Sequence, residues 1–165
     1  MANAVICKDF EGKTYEVPIS DLVWRPSAYG IIIKDDAVLL SKQFGDKYDL
    51  PGGGIDLGEM PEAAVIREVK EETGLDVKAP KLIGGASNFF KFTHSHDDGA
   101  VQSILLYYVC ELVGGELSTD GFDEDEKQYA ELAEWILLDD LDTIALASGY
   151  DFREHIRKAA LNGLQ

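Results

Sequence analysis

Residues 53–75, GGIDLGEMPEAAVIREVKEETGL, decide how the rest of the chain is read. The stretch packs Glu59, Glu62, Glu68, Glu71 and Glu72 into one loop and one helix. Carboxylates this close repel one another unless a cation sits among them. Oxygen ligands suit Mg²⁺ and Mn²⁺, so the stretch is a candidate hard-cation site. Its local structure is also legible. Pro51-Gly52-Gly53-Gly54 is read as a break that cannot continue a strand. Pro61 suits a first helical turn, where its missing N–H costs nothing. Ala63, Ile66 and Val69 recur at three-residue spacing and predict a buried stripe. Gly74 then ends the helix, which is expected from about Met60 to Thr73.

On that helix Glu68 and Glu72 are four residues apart and share a face, with Glu71 at its edge. Arg67, four residues before Glu71, is placed to pair with it. Three converging carboxylates suit Mg²⁺ with positions left open for water and phosphate oxygens. A solvated acidic face would explain any one of these glutamates, but not the whole spacing. Gly53, five residues, Glu59, seven residues, then Arg67-Glu68-Val69-Lys70-Glu71-Glu72-Thr73-Gly74-Leu75 resembles the Nudix box at every fixed position. Leu50-Pro51-Gly52-Gly53 resembles that family's lead-in.

The resemblance implies an α/β fold, the Nudix-type α/β/α sandwich with a mixed β-sheet and the box helix on one side. It also implies Mg²⁺-dependent hydrolysis (Mn²⁺ as a substitute) of a nucleoside di- or triphosphate, or of a nucleoside diphosphate linked to another moiety. In that chemistry Glu68 and Glu72 hold the metal, and Glu71, oriented by Arg67, completes the cluster. Glu59 ligates through water or braces the loop, while Gly53 and Gly54 let backbone amides approach the phosphates. Such enzymes often add a carboxylate from a loop; Glu131, before Trp135, is favoured here, with Glu126 second. A metal-bound water attacks phosphorus after losing its proton to a carboxylate.

The substrate is less legible. Family members that prefer ADP-ribose often carry a Pro about sixteen residues after the box, but Pro80 is the last proline in this chain. Dinucleoside polyphosphate enzymes often carry a Tyr nearby, where Lys91 and Phe92 stand. The alternatives are an ADP-ribose or sugar-nucleotide pyrophosphatase, or a non-catalytic nucleotide-sensing module. The latter usually lacks box carboxylates, and all of them are present here.

The rest of the chain bounds these readings. Its 165 residues, 45% hydrophobic, suit one domain: an N-terminal β-hairpin extension over 1–25 and a core over 26–165. The net charge of −16, from 15 basic and 31 acidic side chains, disfavours binding to nucleic acid. Bound Mg²⁺ can still bridge an acidic protein and a small phosphorylated ligand. No apolar run approaches the roughly 20 residues of a membrane span, and the first residues do not read as a secretory signal. Cys7 and Cys110 lack metal-site spacing and fit a reduced, cytoplasmic protein. A homodimer is the family-level expectation.

Glu11-Gly12-Lys13 reads as the turn of the first hairpin, an arm that covers a sheet edge or meets a second subunit. Lys34-Asp35-Asp36 joins two strands, 29–33 and 37–41, and 48–50 delivers the glycines. Strands are expected over 82–92, 101–113 and 133–138, and short helices from Asp139 and over 151–161. Phe89, Phe90 and Phe92 are read as core residues, with stacking on a base as the alternative. His94 and His96 lie in a polar link, where a turn is favoured over a metal role.

Overall fold

Ile31 and Ile33 pack in one core and Ile32 in another, and all three are buried, so the chain runs between two apolar cores here. The computed structural model describes residues 3–93, 99–124, 126–147 and 149–162, and His94 and His96 lie outside them.

The strands are β1 (Ala4–Lys8), β2 (Thr14–Pro18), β3 (Leu22–Ile31), β4 (Ile33–Lys34), β5 (Ala37–Gln43), β6 (Lys47–Asp49), β7 (Gly52–Gly54), β8 (Leu75–Lys91), β9 (Ala100–Gly115), β10 (Ala130–Leu137) and β11 (Ala145–Leu146). The helices are α1 (Pro61–Thr73), α2 (Glu126–Tyr129) and α3 (Arg153–Leu161). One sheet runs β2-β1-β8-β9-β3-β7; the second runs β10-β5-β6-β11, with β4 also paired to β5. Both are mixed, since β3 pairs parallel with β9 and β6 with β11 while their other neighbours run antiparallel. Ala64, Val65 and Val69 of α1 pack on Ala28, Ile32, Leu39 and Tyr108. Ile156 and Ala159 of α3, with Phe152 just before it, pack in the other core with Ile31, Val38, Leu40 and Tyr107. The result is the expected α/β/α sandwich.

Local signals explain several joints. Asp35 and Asp36 both take positive φ, 50° and 58°, as a tight hairpin turn demands. Asp9 accepts hydrogen bonds from the Glu11 and Lys13 amides, and Gly12 takes φ 79°, closing the first hairpin. Gly74 ends α1 in the left-handed region and donates its N–H to the Lys70 carbonyl. Pro80 is accommodated within β8 because the ladder shifts register between Lys78 and Lys81.

Four expectations change. The glycines do form a strand: β7 pairs with β3 through Gly52↔Tyr29, Gly53↔Ala28 and Gly54↔Ser27. Gly52 has φ 151°, and a Cβ there would strike the Ala28 carbonyl oxygen, so only glycine lets the two backbones approach. The run 29–33 is not one strand, because the chain passes from one sheet to the other at Ile32. The buried stripe of α1 is Ala64, Val65 and Val69, while Ala63 and Ile66 are exposed. A three-residue repeat drifts around a 3.6-residue helix, whereas i and i+4 stay on one face. The segment from Asp139 makes only a 3₁₀ turn, Leu138–Asp140. β3 begins at Leu22 and pairs with β9 from there to Ile31.

Candidate active site

Four residues per near-turn put Glu68 and Glu72 on the side of α1 that faces the sheets. Glu72 is 9% exposed. Its Oε2 accepts a hydrogen bond from Ser41 Oγ at 2.7 Å and one from the Gly52 amide at 3.3 Å. Burial pushes its carboxyl well above the usual carboxylate range; the Ser41 bond pulls it down, and the charges of Glu68 and Glu126 push it further up. The Glu68 carboxyl is also raised, first by burial, against the pull of Arg67.

Arg67 ties the loop to the helix. It donates to Glu59 from Nε at 2.9 Å and from Nη2 at 2.8 Å, to Glu68 at 2.8 Å, to Glu71 at 3.1 Å and to the Gly54 carbonyl at 3.1 Å. Its hydrogen bonds hold the Glu59 carboxyl below its ordinary range. The expected Arg67–Glu71 pair is present, but Arg67 also gathers Glu59 and Glu68. The three carboxylates therefore converge on a guanidinium. Among the described residues, no three acidic, histidine or cysteine side chains surround a common point.

β7 explains why Glu68 can sit where it does. A Cβ on Gly53 would lie 2.7 Å from one Glu68 carboxylate oxygen, so the carboxylate occupies space that only glycine leaves free. A cavity of about 280 Å³ opens here. Gly52, Gly53, Gly54, Glu68 and Glu72 line it together with Glu126 from α2. The Glu126 carboxyl is raised by burial, against the pull of the Asp123 amide, which donates to it at 2.8 Å.

Glu131 is placed differently. It lies on β10, its side chain is 55% exposed, and its carboxylate faces Lys42 at 3.7 Å. It borders a separate small crevice, not the main cavity. The strand starts at Ala130, and this carries Glu131 away while the preceding short helix presents Glu126.

Sequence reasoning missed most of the far wall. Phe10, Arg25, Asn88, Ser103 and Tyr129 line the same cavity. Phe10 comes from the hairpin turn, held by Lys47 Nζ donating to its carbonyl at 2.9 Å. Its ring centroid lies 4.6 Å from Phe90, 4.7 Å from Phe44 and 6.3 Å from Phe92. Arg25 sits over the Phe92 ring at 5.3 Å. Phe90 and Phe92 thus reach the cavity, while Phe89 packs against the hairpin core beside Cys7 and Val17. Alternation along β8 would have separated Phe89 from the other two; nothing local marks Phe10.

The donor chemistry fits a hard divalent cation. Glu68, Glu72 and Glu126 bring carboxylate oxygens to one cavity and push one another's carboxyls up by charge, and the glycines of β7 leave room for the Glu68 carboxylate among them. Cys7 and Cys110 are free and buried in separate cores, and burial pushes the Cys110 thiol up to about 12, which suits packing.

A family model described as the NUDIX domain matches residues 24–158. An ADP-ribose pyrophosphatase of Methanocaldococcus jannaschii is 37% identical over 107 residues, 62% of this chain and 59% of that protein. A MutT-like protein of Streptomyces ambofaciens is 41% identical over 64 residues, 38% of this chain and 42% of that protein. The chain thus spans about half the length of these curated relatives. The crystal structure of an ADP-ribose pyrophosphatase from Streptococcus suis superposes with a TM-score of 0.61 at 24% identity, covering 86% of this chain and 92% of that one, and shares the fold.

Proposed function

The chain belongs to the Nudix family, and on that premise we propose that it hydrolyses a phosphoanhydride bond in a nucleoside di- or triphosphate, or in a nucleoside diphosphate linked to another moiety, with Mg²⁺ as cofactor. One observation carries this reading. A single cavity joins three partly or fully buried carboxylates, Glu68, Glu72 and Glu126, and a strand without side chains to a wall of aromatic rings.

Glu68 and Glu72 would hold the cation, and Glu59 and Glu71 brace the site through Arg67. A divalent cation bound there would neutralise phosphate oxygens and acidify a bound water. Glu126 takes over the role expected of Glu131, because it lines the cavity and its raised carboxyl suits a proton acceptor. Gly53 and Gly54 let the phosphates approach the backbone. In-line attack at phosphorus breaks the P–O–P bridge and leaves two phosphorylated products. Names of relatives favour ADP-ribose or a related sugar nucleotide within this class. The two free, buried cysteines support a reducing, cytoplasmic setting. Among the described residues no helix is long and apolar enough to cross a membrane.

The test is product release from nucleoside triphosphates, ADP-ribose, sugar nucleotides and dinucleoside polyphosphates, with Mg²⁺ and with chelator. Turnover of one class, abolished by chelator, is expected. Ligand binding without product anywhere in the panel would replace this reading with a nucleotide sensor.

A further inference from the structure

The amide oxygen of Asn88 is buried and accepts no hydrogen bond from any described group of the protein. Such an orphan acceptor is uncommon and costs free energy. Asn88 lines the cavity, and the strand registers show what surrounds it. Asn88 on β8 pairs with Ser103 on β9, and Ser103 pairs with Arg25 on β3. All three line the cavity. They form one polar row across three strands, beside the rings of Phe90 and Phe92 and under Phe10.

The row runs away from the carboxylates, with Arg25 beside Gly54 and Asn88 at the far end. Gly54 is three strands from β8 and two residues along from Arg25, through its partner Ser27. At about 4.8 Å per strand and about 3.3 Å per residue, Asn88 is on the order of 15 Å from Gly54. That span fits a diphosphate, a sugar and a base laid in line. Flat rings stack on a base, and a buried amide reads its edge. A polyphosphorylated ring would instead need a basic wall, and Arg25 is the one cationic side chain among the described residues that line this cavity.

We propose that Asn88 is a specificity-determining residue, its amide oxygen accepting an N–H of the nucleobase, while Phe10 closes the base subsite from the hairpin. The proposal rests on the nucleotide reading above. It adds a residue outside the box and another, Phe10, outside residues 24–158 matched by the family model.

The test is equilibrium binding of α,β-methylene diphosphates of adenosine, guanosine, cytidine and uridine, with Mg²⁺, to the full chain and to Asn88→Leu and Phe10→Leu. These analogues resist cleavage of the bridge, so the measurement does not depend on turnover. Wild type is expected to prefer its best base over its worst by about tenfold or more, since an unmet buried acceptor penalises the wrong edge. Asn88→Leu should collapse that spread. It should melt no lower than wild type, because an unpaired polar atom is removed. Phe10→Leu should weaken all four analogues and keep their order. If Asn88→Leu does not fold, Asn88→Ala carries the same expectation. An unchanged spread in the Asn88 variant, equal binding of all four bases by wild type, or no binding of any analogue would overturn the proposal. A chain that discriminates bases through Asn88 but turns over no nucleotide would overturn the hydrolase reading alone.

Discussion

The two helices that cover the sandwich make opposite use of charge. α3 keeps its charges outside. Arg153 pairs with Asp151, Arg157 with Asp142 at 2.6 Å, and Lys158 donates to the Ile83 carbonyl at 2.6 Å. Its inward residues, Ile156 and Ala159, are apolar. α1 turns two carboxylates inward instead, and the partners of Glu72, a hydroxyl and an amide, are both neutral. A helix that only had to cover a sheet would carry aliphatic residues at 68 and 72. Burying carboxylate charge without a counter-charge is costly. α1 therefore spends stability at the site where chemistry is proposed, and α3 supplies stability with no chemistry of its own.

That contrast can be broken or sharpened by four measurements. Glu72→Gln should lower turnover on the order of 10³-fold, as loss of a preorganised charge does, while the metal-free variant melts at or above wild type. A variant that keeps wild-type turnover would remove Glu72 from the site. Ile156→Ala should do the reverse. The hole left in the α3 core should cost about 3 kcal/mol of stability by denaturant titration, with kcat per folded molecule unchanged. Gly53→Ala should lower turnover by about 10²-fold with little change in melting, because its Cβ displaces only the far end of Glu68. Equal losses of fold and turnover would mean that β7 serves packing alone. Arg153→Ala should cost less than about 1 kcal/mol, since the carboxylates it pairs with, Asp142 and Asp151, are exposed.

Acid–base behaviour separates the helices in another way. Glu68, Glu72 and Glu126 all have raised carboxyls, so the metal-free folded chain holds these protons more tightly than the unfolded chain does. Stability must then fall as pH rises above the ordinary carboxylate range, about 4.3. Added Mg²⁺ at neutral pH should restore it, as the proposed binding of the ion by the folded state requires. Melting curves in chelator and in Mg²⁺ across this range are the check. A melting temperature flat in pH and indifferent to Mg²⁺ would mean that these carboxylates are not under charge stress.

What the sequence made legible was local. Gly74 as a helix stop, Asp35-Asp36 as a turn, and the Glu68–Glu72 and Arg67–Glu71 spacings all depend on residues within a few positions of one another, and each appears in the structure. The face of α1 was misjudged because two offset stripes of small apolar residues fit the same helix, and only the sheet decides between them. The glycine strand was missed because a glycine run signals freedom of the backbone; the pairing that uses it belongs to β3. Glu126 and Glu131 could not be ranked without knowing where β10 begins. Phe10, Arg25 and Asn88 are separated by 78 residues of chain and meet only through ladder register, which no single segment encodes.

The first hairpin is joined to the large sheet by a parallel pairing at Lys8↔Phe90, by the small core around Cys7 and by the Lys47 bond to its turn. It touches the cavity through one ring. In engineering terms it is an exchangeable jaw: a two-strand module whose tip can be redrawn while the cutting edge on α1 stays as it is. Selection or a protein designer can thus retune what is grasped by editing the hairpin alone, without reopening the charge balance around Arg67 that the other half of the cavity depends on.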